Sequence, residues 1–145
     1  MNESTTGPDR RALSMLRRVL LSDAGFSGLS GVALVFGCVP IDRLLGLGAP
    51  LAVAAVGIGL LPYSWSLLRE ARRPAPRPGE VVLSALLDLG WVAASLVILA
   101  VLADRLTAFG TFAFAIVGIV VLGFAGFKAL GLARLATVAT VPAKS

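Results

Sequence analysis

The chain has 145 residues, of which 57% are hydrophobic and 14% are charged, and its formal net charge is +5. Soluble domains carry about 25% charged residues, and a chain this short cannot bury so much apolar surface in water, so the composition excludes an ordinary soluble domain. The single cysteine, Cys38, and the lack of histidine exclude an intrachain disulfide and argue against a zinc or haem site of the usual type.

Four apolar segments follow one another along the chain, each about as long as a helix that crosses a bilayer. They span 19–39, 49–68, 81–103 and 108–130. The short connections favour antiparallel neighbours, and the segments lack the alternation of a barrel strand. The sequence therefore predicts an all-α fold, a bundle of four transmembrane helices.

The basic residues predict the orientation of this bundle. Only Arg43 and Arg105 of the thirteen lie in the loops after the first and third spans. Because cytoplasmic loops are enriched in arginine and lysine, we expect both termini to be cytoplasmic, in a bacterial inner (plasma) membrane. This placement explains the positive charge without a nucleic-acid partner. The other eleven residues are Arg10, Arg11, Arg17, Arg18, Arg69, Arg72, Arg73, Arg77, Lys128, Arg134 and Lys144.

The remaining segments are predicted to be tails and a linker. We expect residues 1–9 to be a disordered tail and residues 131–145 to be a cytoplasmic tail. The run 34-LVFGC-38 resembles a lipoprotein cleavage box, but Phe36 fits it poorly and the apolar run is long for a signal peptide, so we favour an uncleaved first helix. The basic, proline-rich linker 69–80 is best explained as a topology signal. The alternative is a site for anionic lipid near Arg72, Arg73 and Arg77, or for a partner.

The two predicted hairpins, 10–68 and 81–130, show signs of an internal duplication. The stretch 23-DAGF-26 matches 88-DLGW-91, and Asp42-Arg43 matches Asp104-Arg105. In the second helix of each pair, 56-VGIGLLPYS-64 matches 117-VGIVVLGFA-125. Since both hairpins would start from the cytoplasm, the repeat would be parallel, with its pseudo-twofold axis along the membrane normal.

Asp23 and Asp88 are the candidate functional residues. They lie about 7 Å and about 10 Å into their helices from the cytoplasmic side, by the rise of an α-helix. A carboxylate at mid-bilayer costs about 2.5–3.5 kcal/mol, so both are expected to face the interior of the bundle. Helical spacing places other polar and small residues on the same stripes. These are Ser27 and Ser30 in the first helix, and Ser84, Trp91 and Ser95 in the third.

The second helix contributes a proline and a tyrosine. Pro62 lacks an amide hydrogen, so a bend is expected there. Tyr63 could donate a hydrogen bond to a carboxylate. Glycines at Gly25 and Gly90 would give room beside the two aspartates. Trp65 is expected in the interfacial aromatic belt.

Two explanations of the aspartates remain open. In the favoured one they are structural anchors that accept hydrogen bonds and specify how the hairpins pair. In the other they are a protonatable pair, because two nearby carboxylates cannot both ionise at low cost. Such a pair could carry protons or bind a cation.

The chain from 17-RRVLLSDAGFSG-28 onward, with 59-GLLPYS-64 and 87-LDLGWVAASL-96, resembles a group of small four-helix bacterial inner-membrane proteins. The resemblance implies the same four-helix architecture and no particular activity. The resemblance also implies an Asn-x-x-Trp in the third helix, where this chain has Asp88. It implies a polar residue in the fourth helix, where this chain shows only Val, Gly and Phe.

The sequence favours a structural or accessory membrane protein, embedded in the lipid bilayer and able to form a homo-oligomer. The alternative is a small proton-coupled transporter that uses Asp23 and Asp88. With no histidine and one cysteine, we expect no enzymatic activity and no cofactor.

Overall fold

The computed structural model describes residues 7–139, with side-chain surroundings for residues 10–134. All regular structure in this part of the chain is helical, and it has the element order α1 (Gly7–Phe36), α2 (Cys38–Leu45), α3 (Pro50–Ala71), α4 (Pro78–Val101) and α5 (Ala108–Ala139). Four helices are long and apolar enough to cross a membrane, over Arg10–Phe36, Pro50–Ala71, Pro78–Val101 and Ala108–Arg134. For residues 7–139, the prediction of an all-helical fold with four candidate spans is confirmed.

The short helix α2 differs from the prediction, in which its residues are the end of the first span and a loop. Gly37 separates it from α1, and Pro40 takes the third position of α2, where no intrahelical amide bond is needed. Gly46 ends α2 with a left-handed φ of 80°, and its amide donates to the Asp42 carbonyl oxygen at 2.8 Å. Glycine adopts this conformation without steric cost.

The predicted tails and linker are partly helical. The described chain already begins in α1 at Gly7, whereas residues 1–6 of the expected disordered tail lie outside the described residues. Helix α5 continues to Ala139, and residues 140–145 also lie outside. Residues 72–77 connect α3 to α4. Pro50 and Pro78 begin the two helices, at a position where the missing amide hydrogen costs nothing.

Close packing joins α1 to α3, while α4 packs against α5 and α5 also packs against α1. A Cβ on Gly57 would lie 2.8 Å from the Gly31 carbonyl oxygen, so only glycine permits this approach of two backbones. The Ser64 hydroxyl donates to the Ala24 carbonyl oxygen at 2.7 Å in the same interface. Gly25 and Gly90, in contrast, have nothing within 4 Å of such a Cβ, so they are not the positions of close approach.

The two ends of the bundle differ in composition. The arginine-rich end contains Arg17, Arg72, Arg73, Arg77 and Arg134, and there the Arg17 guanidinium donates to the carbonyl oxygens of Arg73 and Pro74, at 2.7 and 2.9 Å. The distal end contains the turns 46–49 and 102–107. At this end the Thr107 amide donates to the Leu45 carbonyl oxygen at 3.1 Å.

Large apolar side chains cover the outside of the bundle, as a lipid-facing surface requires. Leu29, Phe36, Leu51 and Ile119 are each at least 70% exposed, and Trp65 is 66% exposed. The apolar core lies near the arginine-rich end and contains Leu16, Leu20, Ala24, Leu67, Ala71 and Val81. The Tyr63 ring packs against this core, and the Tyr63 hydroxyl contacts a set of buried polar side chains.

Candidate functional site

Each of the four long helices contributes one side chain to a polar cluster inside the bundle. Asp23 comes from α1, Tyr63 from α3, Asp88 from α4 and Lys128 from α5. We call these four residues the polar tetrad. Asp23, Asp88 and Lys128 are buried, whereas Tyr63 is half-buried. Residues 105 positions apart in the chain therefore meet at one point.

Lys128 is the centre of the tetrad. Its side chain is 0% exposed, and its Nζ donates to Asp88 Oδ2 at 2.6 Å and to Asp23 Oδ2. The same nitrogen donates to the Tyr63 hydroxyl at 3.2 Å. An ammonium has three N–H donors, so each has an acceptor on a different helix. The Lys128 ammonium is therefore fully buried, and all three of its N–H groups donate hydrogen bonds.

The carboxylate oxygens are equally well supplied with donors. The Tyr63 hydroxyl donates to Asp88 Oδ1 at 2.6 Å, and it lies 3.4 Å from Asp23 Oδ2. The Ser27 hydroxyl donates to Asp23 Oδ1 at 3.1 Å. All four carboxylate oxygens of the tetrad thus have a donor. A fully satisfied network is the form in which buried polar groups stabilise a bundle.

The charges of the tetrad do not balance. Two carboxylates share one ammonium, which leaves one negative charge when all three groups are ionised. Coulomb interactions are strong in a low-dielectric interior, so an unbalanced charge there is costly. One further proton would make the tetrad neutral.

Helical spacing explains why α5 presents a lysine to this point. Val121, Ala125 and Lys128 are buried, and they stand at i, i+4 and i+7 on one face of the helix. Gly131, one turn further, lets α5 approach α1 closely, because a Cβ there would lie 3.1 Å from a Leu16 side-chain carbon. The Lys128 side chain therefore projects into the bundle and not toward its outer surface.

The structure brings together most of the residues singled out in the sequence. Ser84 is buried, its hydroxyl donates to the Val81 carbonyl oxygen at 2.9 Å, and its own carbonyl oxygen lies 3.3 Å from the Tyr63 hydroxyl. Trp91, in contrast, is half-buried and makes no hydrogen bond with the tetrad in the described chain. Pro62 lies within α3, which is helical on both sides of it, and the bend there remains a prediction.

Lys128 is the residue that the sequence analysis missed. It was assigned to the cytoplasmic positive charges, and the fourth helix was expected to carry only Val, Gly and Phe where a polar residue was sought. A signal was nevertheless present. Lys128 is the one charged residue of the segment 108–130, just as Asp23 is of 19–39 and Asp88 is of 81–103. Two carboxylates inside one bundle require a cation, and this is the cation that the spans contain.

Comparison with family models, with curated proteins and with solved structures gave no match. Within the described residues, no group of three or more His, Cys, Asp or Glu side chains is placed to hold a metal ion. The polar tetrad is the chemically distinctive feature on which an inference can be based.

Proposed function

We propose that this chain is a multi-pass membrane protein with a structural or accessory role, in which the polar tetrad fixes the pairing of two helical hairpins. Helices α1 and α3 supply Asp23 and Tyr63, and α4 and α5 supply Asp88 and Lys128. The observation that carries the proposal is the Lys128 ammonium, which is fully buried and bonded to acceptors on three other helices. A buried, fully satisfied polar group favours one register over others, because any slip leaves a charge unpaired.

Two substitutions at one position test this role. Asp88→Asn keeps the size of the side chain and an oxygen for Lys128, so we expect assembly and stability to be nearly unchanged. Asp88→Leu leaves the Tyr63 hydroxyl and one N–H of Lys128 without these acceptors, and it should lower the free energy of unfolding by about 1–3 kcal/mol. Unfolding in mixed detergent micelles measures the difference, with Asp104→Leu at an exposed position as the control. Loss of a transport phenotype in folded Asp88→Asn protein would contradict the structural role.

The proposal includes a bacterial inner-membrane location with both termini cytoplasmic. Ten of the twelve arginines and lysines outside the tetrad lie before the first predicted span, in the linker 69–80 or after the fourth span, which supports this orientation. A reporter enzyme that is active only in the periplasm should be active when inserted at Gly48 and inactive when fused after Ser145. The reverse result would invert the topology.

The proposal also includes descent of the two hairpins from one duplicated unit. Asp23 and Asp88 are matched positions in the proposed repeat, and both accept from the same ammonium, as a parallel repeat with a central axis predicts. The second helices differ, since Tyr63 is matched by Phe124. A test is to exchange the matched residues Phe26 and Trp91, which a true repeat should tolerate in the folded state.

Contacts with other molecules form a further part of the proposal. Arg73 lies 2.9 Å from Glu70 Oε2, whereas Arg72 and Arg77 are exposed and could hold an anionic lipid headgroup. The double variant Arg72→Gln, Arg77→Gln should then no longer bind vesicles containing phosphatidylglycerol more tightly than purely zwitterionic vesicles.

The chain is also proposed to form a homo-oligomer, which sedimentation in detergent would detect.

A second candidate function is a small proton-coupled transporter that uses Asp23 and Asp88. The observation that favours it is the excess of one carboxylate over the Lys128 ammonium inside the tetrad. Protons that move in liposomes only when a substrate cation is added would support transport. No proton movement across a broad panel of cations would count against it.

A further inference from the structure

A small cleft opens between α3 and α4 at the arginine-rich end. Its polar lining consists of two hydroxyls, from Ser66 and Ser84, and two carboxylates, from Glu70 and Glu80. Leu20, Leu67 and Val81 complete the lining. The cleft has room for about one water molecule, and its hydroxyls and carboxylates supply the several polar partners that a water needs.

The cleft lies between the surface of the bundle and the tetrad. Glu80 is exposed in the first turn of α4, at the outer end. The Glu70 side chain is 6% exposed and is held by Arg73 and by the Arg77 amide. Ser84 lies at the inner end, and its carbonyl oxygen is 3.3 Å from the Tyr63 hydroxyl, which donates to Asp88. One turn of α4 thus separates the cleft from the tetrad.

On the opposite side of the tetrad, close packing occurs between α1 and α3 and at the distal turns. Toward the distal end, the backbones of α1 and α3 touch at Gly31 and Gly57. Further on, Gly110 lies directly against the Leu45 carbonyl, and the Thr107 hydroxyl donates to the Leu44 carbonyl oxygen. Ser27 and Ser95 are the buried hydroxyls on this side of the tetrad, and neither lines the cleft.

We propose that this cleft is a water-filled path through which the tetrad exchanges protons with the aqueous phase at the arginine-rich end, and not at the distal end. The groups that face one another in the tetrad are Asp23, Tyr63, Asp88 and Lys128, and the path adds Glu70 and Glu80. Such a path is compatible with a structural role of the tetrad and also with proton-coupled transport. Its test is independent of the unfolding measurements.

Cysteine accessibility tests the path directly. In a Cys38→Ser background, Ser66→Cys and Ser84→Cys should react with a small cationic methanethiosulfonate reagent at least about ten times faster than Ser95→Cys, since thiol reactivity follows water access. Ser95 is the matched control because it is buried on the same helix as Ser84, 3% exposed against 5%, and does not line the cleft. The reaction should occur in vesicles that expose the arginine-rich end to the reagent. Equal rates for all three, or labelling from the distal face, would overturn the proposal.

Hydrogen–deuterium exchange of the Tyr63 hydroxyl is a second test, and it needs no introduced cysteine. Tyr63 is the single tyrosine, so the infrared band of the phenol reports on the tetrad alone. After transfer to D2O, the phenol should exchange much faster than the backbone amides of the spans. Ser84→Val should slow this exchange, whereas Ser95→Val should not. A phenol that exchanges as slowly as those amides, or that ignores Ser84→Val, would contradict a water path.

Discussion

The ammonium of Lys128 lies 2.6 Å from Asp88 Oδ2, although the two residues are 40 positions apart and belong to different helices of the second hairpin. The same nitrogen binds Asp23 of the first hairpin. One lysine thus joins both hairpins, and its removal would leave two buried carboxylates without a cation.

Lys128→Met should destabilise the bundle strongly. Methionine fills similar space but leaves both carboxylates without their cation, and breaking a buried ion pair in this way costs about 3–5 kcal/mol. Unfolding in detergent or lipid measures the loss, and Arg43→Met, at an exposed site, is the control. Adding Asp88→Asn to Lys128→Met should restore part of the stability, because one uncompensated charge is removed. A double variant as unstable as Lys128→Met would contradict the charge-pairing explanation.

Tyr63→Phe should have a smaller effect. The substitution keeps the ring but removes the donor to Asp88 Oδ1 and one acceptor of Lys128. An unsatisfied buried group costs about 1–3 kcal/mol, and this is the expected fall in the free energy of unfolding. Trp65→Phe, two positions away on the exposed surface, should change stability by less than about 0.5 kcal/mol. Equal effects of the two substitutions would mean that the hydroxyl contributes nothing.

Gly57→Ala should increase the distance between α1 and α3 and destabilise the bundle. The new methyl group would lie 2.8 Å from the Gly31 carbonyl oxygen and 2.9 Å from the Val35 nitrogen, so the helices must move apart. We expect a loss of about 1–3 kcal/mol, as for other overpacked sites. Gly59→Ala is the matched control on the same helix, since nothing lies within 4 Å of its added carbon. Alanine is the better helix former, so the control should be neutral or stabilising.

Asp42→Ala and Asp104→Ala should differ, although the sequence pairs these residues as equivalents. Asp42 is buried, and its Oδ1 accepts from the Ala49 amide at 2.8 Å, which holds the turn between α2 and α3. Its loss should cost about 0.5–1.5 kcal/mol. Asp104 is exposed, so its replacement should change stability by less than about 0.5 kcal/mol. Thermal unfolding of the two variants side by side distinguishes them.

The sequence by itself determined the helical class and the four spans. Bilayer thickness sets the length of an apolar helix, and backbone groups in lipid must be satisfied within the helix, so composition and segment length are sufficient for this conclusion. Helical spacing also placed Asp23, Ser27, Ser84 and Asp88 toward the interior, because a carboxylate or hydroxyl that faces lipid is costly.

Only the tertiary structure decided what these side chains meet. The sequence shows that Lys128 lies near the end of an apolar segment, where a lysine can reach the interface or turn inward with almost no difference in local pattern. The packing of α5 against α1 and α4 selects the inward direction, and it brings Asp23, Tyr63 and Asp88 within hydrogen-bonding distance. Such a meeting depends on the rotation of four helices about their axes, and that rotation is set by contacts between residues far apart in the chain.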